Sequence, residues 1–319
     1  MPYFFTIDFW GNVGYNLEMK RWWTYQKERF PLLAYIPLMA TFGFSSVGYS
    51  MHLHNPQARL SDIAFSQAIT AMATTLFWFM LLRIADEHKD FEEDRRFRPY
   101  RPVQRGLVKL SELRAIGLFL VMGLIAMSIW VDWRLLGILA LVGLWFGLMT
   151  VEFGIPKWLK KRPTIYLLSH MMLLPLIDLY ATAVEWLPRG GMFSFGIMLY
   201  MVSSFCDGTV VEVGRKLRAP ENEEYGVDTY TQIWGPKRAM VVWLAAITIS
   251  GASTVLAGFH VGVGHVIMIV LSPLYFLAIA TAIKFAKLPS PKNAKIFTIL
   301  PGVWMILMHT MLGLLPFFM

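Results

Sequence analysis

The chain has 319 residues, 56% of them hydrophobic and 16% charged, with a mean hydropathy of +0.51. A soluble domain carries about a quarter charged residues and lacks the volume to hide this much apolar surface, so a water-soluble globule is excluded. The formal charge of +8 does not mark a nucleic-acid binder, because the 29 Lys and Arg cluster between the hydrophobic runs. The lone cysteine, Cys206, excludes an internal disulfide and any two-cysteine metal or redox motif.

Residues 1–30 lack a small-residue cleavage site and mix Lys20, Arg21, Lys27 and Arg29 with Trp22, Trp23, Tyr25 and Phe30. That mixture reads as an N-terminal interfacial segment and not as a signal peptide. A helix needs about 20 predominantly apolar residues to cross the hydrocarbon core. Nine runs qualify: 31–51, 65–84, 113–130, 135–155, 164–186, 192–211, 239–259, 265–286 and 296–317. The fold class is therefore all-α, a polytopic membrane protein whose residues 31–319 form a single domain of nine transmembrane helices. When residues at span ends are counted with the adjoining loop, only Arg59, Arg134 and Arg189 of all the Lys and Arg fall on one side. The positive-inside tendency then places the N-terminus in the cytoplasm and Met319 outside. It describes an integral, multi-pass protein of a cell inner membrane.

The densest chemistry follows the second run. Asp86, Asp90 and Asp94 are spaced i, i+4 and i+8, one face of a helix, with Glu87 at the edge. Like charges stacked this way repel, so the spacing points to a cation among them. A hard divalent ion with oxygen ligands, Mg²⁺ above all, fits Asp86, Glu87, Asp90 and Asp94; the bland reading is a solvated helix end of mixed charge. Arg83 precedes the cluster, and a proline-held loop carrying Arg101 and Arg105 follows it. Mg²⁺ typically joins a few carboxylates to substrate phosphates and Arg suits phosphate oxygens, so the pairing indicates a diphosphate with its active site on the cytoplasmic side.

Further along, Gly143 and Gly147 would permit close helix contact. Ionisable residues inside spans are functional candidates by default: His170 and Asp178 first, the latter to orient an acceptor or take a proton, then Glu152, Asp207 and His309. The sixth run ends in Glu212, Arg215, Lys216 and Arg218, with Glu221, Glu223 and Glu224 beyond. Two polar clusters at the same end of an apolar bundle suit an amphiphile with a charged head and a greasy tail.

At these residues the sequence resembles the UbiA superfamily of intramembrane prenyltransferases. The family signature Asn-Asp-x-x-Asp-x-x-x-Asp maps onto Asp86, Glu87, Asp90 and Asp94 with its spacing intact. Its Arg-Pro segment is similar to Arg101-Pro102-Val103-Gln104-Arg105-Gly106, its basic pair to Lys161-Arg162, and the stretch after its second acidic motif to Gly226 through Gly235. Asp86 stands where the family usually has Asn, and Glu87 where it has Asp. At the second motif, where members carry Asp-x-x-x-Asp, this chain has Glu212-Val-Gly-Arg215-Lys216. Either a second metal is not held there, or Arg215, Lys216 and Arg218 contact the diphosphate directly.

The resemblance implies a Mg²⁺-dependent enzyme that ionises an isoprenyl diphosphate and transfers the prenyl group to a lipophilic acceptor, aromatic acceptors among them. It implies metal ligation by the first-motif carboxylates and Glu212, and diphosphate contacts from Arg83, Arg101, Arg105, Lys161, Arg215, Lys216 and Arg218. The superfamily's terpene-cyclase branch is the alternative, in which the substrate's own double bond captures the cation. A cation transporter using Asp178, Asp207 and His170 is a third reading, and it leaves the aligned carboxylates at the rim unexplained.

Overall fold

The computed structural model describes residues 9–319; residues 1–8 of the expected N-terminal segment lie outside the described residues. Among the described residues every regular element is a helix. The N-terminal helix is α1 (Phe9–Arg29), and Pro31, which cannot donate a backbone hydrogen bond, separates it from α2 (Leu32–His54). Then come α3 (Phe65–Lys89), the short α4 (Phe91–Phe97), α5 (Leu110–Val131), α6 (Leu135–Thr150) and α7 (Pro156–Lys160). The remainder is α8 (Pro163–Met171), α9 (Leu173–Trp186), α10 (Phe195–Arg215), α11 (Tyr230–His260), α12 (Gly264–Lys287), α13 (Pro291–Ala294) and α14 (Ile296–Gly313).

Among the described residues eight helical stretches are long and apolar enough to cross a membrane, with α8 and α9 counted as one and α13 and α14 as another. The break between those two at Met172 follows from Pro175, which supplies no N–H to the Met171 carbonyl and crowds it. The expected fourth span departs from its sequence reading. It stops at Thr150, after 16 residues, and not at 155. Glu152 (φ 50°), Phe153 (φ 55°) and Gly154 (φ 72°) turn the chain left-handed there, and Pro156 starts the next helix. That corner carries Glu152 inward to an ion pair with Lys89 at 2.9 Å, where it is buried. A buried carboxylate is costly unless paired, and Lys89 supplies that pairing.

Among the described residues two large clusters of buried side chains make the core, with a small third one around Tyr25, Val103, Val108 and Leu113. One joins α10, α11, α12 and α14 around Trp243, Phe297 and Trp304; the other joins α3, α5, α6 and α9 around Trp78 and Tyr180. Helix α2 bridges them, packed on α3, α9 and α14. Close backbone approach comes where a Cβ cannot fit: at Gly48 it would lie 2.1 Å from the Gly313 carbonyl oxygen, and at Gly313 it would lie 2.2 Å from that of Ser45. Gly143 and Gly147 make no such contact. Gly147 has open space at its Cβ position, and Gly143 only touches the rim of Trp78 at 4.0 Å.

Candidate active site

Helices α3 and α10 each carry charged residues in their last turns. Backbone bonds from Asp90 N–H to the Asp86 carbonyl (2.9 Å) and from Asp94 N–H to the Asp90 carbonyl (2.8 Å) carry the helical repeat across the join of α3 and α4. The three aspartates therefore stand on successive turns, as the spacing requires. Their fates differ. Asp94 is buried and bound by Arg98 at 2.9 Å and, more closely, by Arg101. Glu87 is fully buried, and its carboxylate accepts a hydrogen bond from Arg29 of α1. Asp86 is half-exposed, 3.6 Å from Arg83, and Asp90 has no side-chain partner among the described residues. Asp86 and Asp90 are thus the open pair.

Across from them, α10 presents Glu212, clasped by Arg215 and by Lys216 Nζ at 2.9 Å. Arg215 lies near enough to Asp86 for each charge to act on the other. Lys216 also lies over the ring of Tyr230, 5.6 Å from its centroid. Tyr230 stacks on Trp234 at 4.5 Å within the first turn of α11. That turn is set by the Thr229 cap, which accepts from Gln232 N–H at 3.2 Å, and is released from the rest of α11 by Gly235 at φ 74°.

A third wall was not legible in the sequence as a site. Lys89 Nζ donates to Tyr166 Oη at 2.6 Å and pairs with Glu152, while Tyr166 stacks on His170 with ring centroids 4.0 Å apart. His170 Nε2 is buried with no partner. Glu152 and His170 were intramembrane candidates; Lys89, Tyr166 and Tyr230 were missed. The Tyr166-x-x-x-His170 spacing places both rings on one helix face and was the available signal.

The other expected residues lie apart. Arg105 pairs with Glu28 of α1 at 2.8 Å, and Lys161 is exposed at the end of α7. Arg101 is committed to Asp94, and burial together with the neighbouring Arg29 lowers its pKa from the ordinary guanidinium value. Arg218 pairs with Glu224 at 2.7 Å beside a separate cleft of about 630 Å³ that also takes Glu221, Glu223 and Lys295. Asp178 sits inside the bundle, where its carboxylate accepts from Ser46 at 3.3 Å and lies 3.9 Å from His309. Asp207 accepts from Ser250 at 2.7 Å.

Among the described residues no three His, Cys, Asp or Glu side chains converge as a ready-made metal cage. Mg²⁺ does not require one, since it keeps several waters and is commonly bound by one or two carboxylates plus substrate phosphates. The open carboxylates of Asp86 and Asp90, faced by cations that would take the phosphates, fit that mode. Glu87 and Asp94, whose oxygens are engaged by arginines, fit it less well.

The family model described as UbiA prenyltransferase family matches residues 56–310. No curated protein matches the chain in sequence. In fold it is similar to a membrane digeranylgeranylglyceryl phosphate synthase, at 15% identity and TM-score 0.63 over 95% of this chain and 99% of the other. It is similar also to a UbiA homologue from Aeropyrum pernix K1 in its apo form, at 15% identity and TM-score 0.63 over 85% and 97%. A UbiA homologue from Archaeoglobus fulgidus bound to DMAPP and Mg²⁺ matches at 11% identity and TM-score 0.53 over 88% and 97%.

Proposed function

The chain belongs to the UbiA prenyltransferase family, and on that premise we propose that it ionises an isoprenyl diphosphate with Mg²⁺ and transfers the prenyl group to a lipophilic acceptor within the membrane. The observation that carries this reading is Asp86, with Asp90 one turn further on, lying within electrostatic reach of Arg215, which with Lys216 clasps Glu212 at the end of α10. The fold it shares with a homologue solved with DMAPP and Mg²⁺ supports the substrate class. By the distribution of Lys and Arg, these helix ends face the cytoplasm across an inner membrane.

Asp86 and Asp90 would hold the metal. When bound, Mg²⁺ neutralises diphosphate oxygens and polarises the ester bond. Arg215 and Lys216 stabilise the charge that grows on the leaving group as the allylic C–O bond breaks and its electron pair departs with the diphosphate. Lys89, fixed by Tyr166 and Glu152, adds a third cation. The rings of Tyr166, Tyr230 and Trp234 offer π faces to the allylic cation, and the bundle excludes water. The acceptor then bonds to the allylic carbon and loses a proton.

The test is to reconstitute the protein with diphosphates of five to twenty carbons, with Mg²⁺ or EDTA, and to follow diphosphate release alongside mass spectrometry of the lipids. Mg²⁺-dependent release with a prenylated acceptor is expected. Cyclic hydrocarbon or terpenol without acceptor would assign the cyclase chemistry instead, and no release from any chain length would overturn both.

A further inference from the structure

Deeper in the bundle than the charged ends of α3 and α10, polar side chains from five helices bond to one another. Ser46 of α2 lies 3.3 Å from the Asp178 carboxylate of α9 and 3.1 Å from the Tyr200 hydroxyl of α10. His309 of α14 lies 3.9 Å from the other Asp178 oxygen. Asp207 of α10 accepts from Ser250 of α11 at 2.7 Å, and Ser250 in turn accepts from Trp304 of α14 at 2.9 Å. Every member of this layer is at most 6% exposed. The other half of the bundle is filled by the cluster around Trp78 and Tyr180, which are 3% and 0% exposed.

The depth of the layer follows from helix geometry. At about 1.5 Å per residue, Asp207 lies roughly 8 Å inward of Glu212 along α10, and Asp178 roughly 12 Å inward of His170 along α8 and α9. Along α3, Trp78 lies roughly 12 Å inward of Asp86 by the same measure. An isoprenoid gains four carbon–carbon bonds of about 1.5 Å with each unit, roughly 5 Å when extended. Two units span the distance from the charged helix ends to the layer, and a third runs into it. A hydrocarbon terminus cannot replace the hydrogen bonds that it parts, and buried polar groups stripped of partners are costly. Asp207 Oδ2 already has no partner, and an apolar tail offers it none.

We propose that this layer is the floor of the donor site and sets its length, so that the prenyl donor is a ten-carbon diphosphate. The assignment rests on the transferase reading and narrows its substrate. A five-carbon donor leaves half of the depth unfilled and forgoes apolar burial, whereas fifteen or twenty carbons must break into the polar layer. Asp178 and His309, which the ionisation step does not use, act here as specificity-determining residues.

The test compares diphosphates of five, ten, fifteen and twenty carbons in detergent at matched mole fraction. Diphosphate release is followed, and calorimetry with Mg²⁺ measures binding of the corresponding S-thiolodiphosphates, which resist ionisation. Release should peak at ten carbons, with kcat/KM at least about tenfold lower at fifteen and twenty, equivalent to ~1.4 kcal/mol, and binding should follow the same order. An Asp178→Ala/His309→Ala variant, which removes both members of the contact, should keep ten-carbon turnover and narrow the gap to fifteen carbons several-fold. A peak at any other length in the parent protein, or an active variant with an unchanged gap, would overturn the proposal; if the variant does not accumulate, the length profile of the parent decides alone. Binding that peaks at ten carbons in a protein that releases no diphosphate keeps the floor and removes the transferase reading. Binding that tightens steadily to twenty carbons means that the tail leaves sideways between helices and overturns the floor, and absence of both binding and release overturns both.

Discussion

Replacing Arg29 by Met tests whether Glu87 is a structural anion or a metal ligand. The Glu87 side chain is 0% exposed and that of Arg29 11%. One carboxylate oxygen is bonded to the guanidinium while the other, Oε2, has no partner. Removing one member of a buried pair leaves an uncompensated charge and costs about 3–5 kcal/mol, a large share of the ~5–15 kcal/mol that holds a typical protein folded. Removing both is another matter, because well-packed apolar replacements of a buried pair are often neutral. Arg29→Met should therefore destabilise the protein by about 3–5 kcal/mol, and Arg29→Met/Glu87→Leu should return to within about 1 kcal/mol of the parent. Equilibrium unfolding in detergent, followed by tryptophan fluorescence, measures both, and diphosphate release is assayed on the same samples. A single variant costing under about 1 kcal/mol would refute the burial argument. A double variant that is stable yet inactive would restore Glu87 to the metal.

Asp86→Ala and Asp90→Ala should each abolish Mg²⁺-dependent turnover with little loss of stability, whereas Asp94→Ala should also lower the melting temperature, because it strands Arg98 and Arg101; unfolding curves read beside activity separate the cases. Arg215→Ala should raise KM or lower kcat by removing a charge-assisted contact worth about 1.5–3 kcal/mol, and Lys216→Asp should be worse, which steady-state kinetics over a Mg²⁺ titration would decide. Gly313→Ala should fail to accumulate in membranes, since its Cβ would meet the Ser45 carbonyl oxygen at 2.2 Å, while Gly147→Ala, with open space, should be silent; immunoblotting of membranes compares them. A reporter fused after Met319 should score as external and one fused between Lys287 and Lys295 as cytoplasmic, and the reverse would invert the orientation drawn from the basic residues.

The apolar runs and the i, i+4, i+8 carboxylates were legible because both are local periodicities. Which carboxylates stay open was not. Glu87 is claimed by Arg29, 58 positions away, and no local rule pairs them. Asp94 is claimed by arginines four and seven positions on, a nearer signal that still competes with the diphosphate reading of the same side chains. The fate of Glu152 depends on a left-handed corner with φ of 50° at that residue, a conformation that non-glycine side chains rarely declare in advance. Arg218 and the acids at 221, 223 and 224 look contiguous with Glu212 in sequence, yet the turn between Lys216 and Tyr230 folds them into a cleft of their own.

The brevity of α6 bears on the membrane itself. Its 16 residues rise about 1.5 Å each, roughly 24 Å in all, against a hydrocarbon slab about 30 Å thick. Such a hydrophobic mismatch is met by local thinning of the lipid or by flanking residues reaching toward the headgroups. The corner that ends α6 is the one that delivers Glu152 to Lys89. Either response falls on the flank that carries the Glu152–Lys89 pair, and thinning there would bring the headgroup layer toward the level of those charges. An amphiphile arriving on that side could keep its polar end at the interface and still meet the reacting carbon, sparing the desolvation that a full-thickness bilayer would impose.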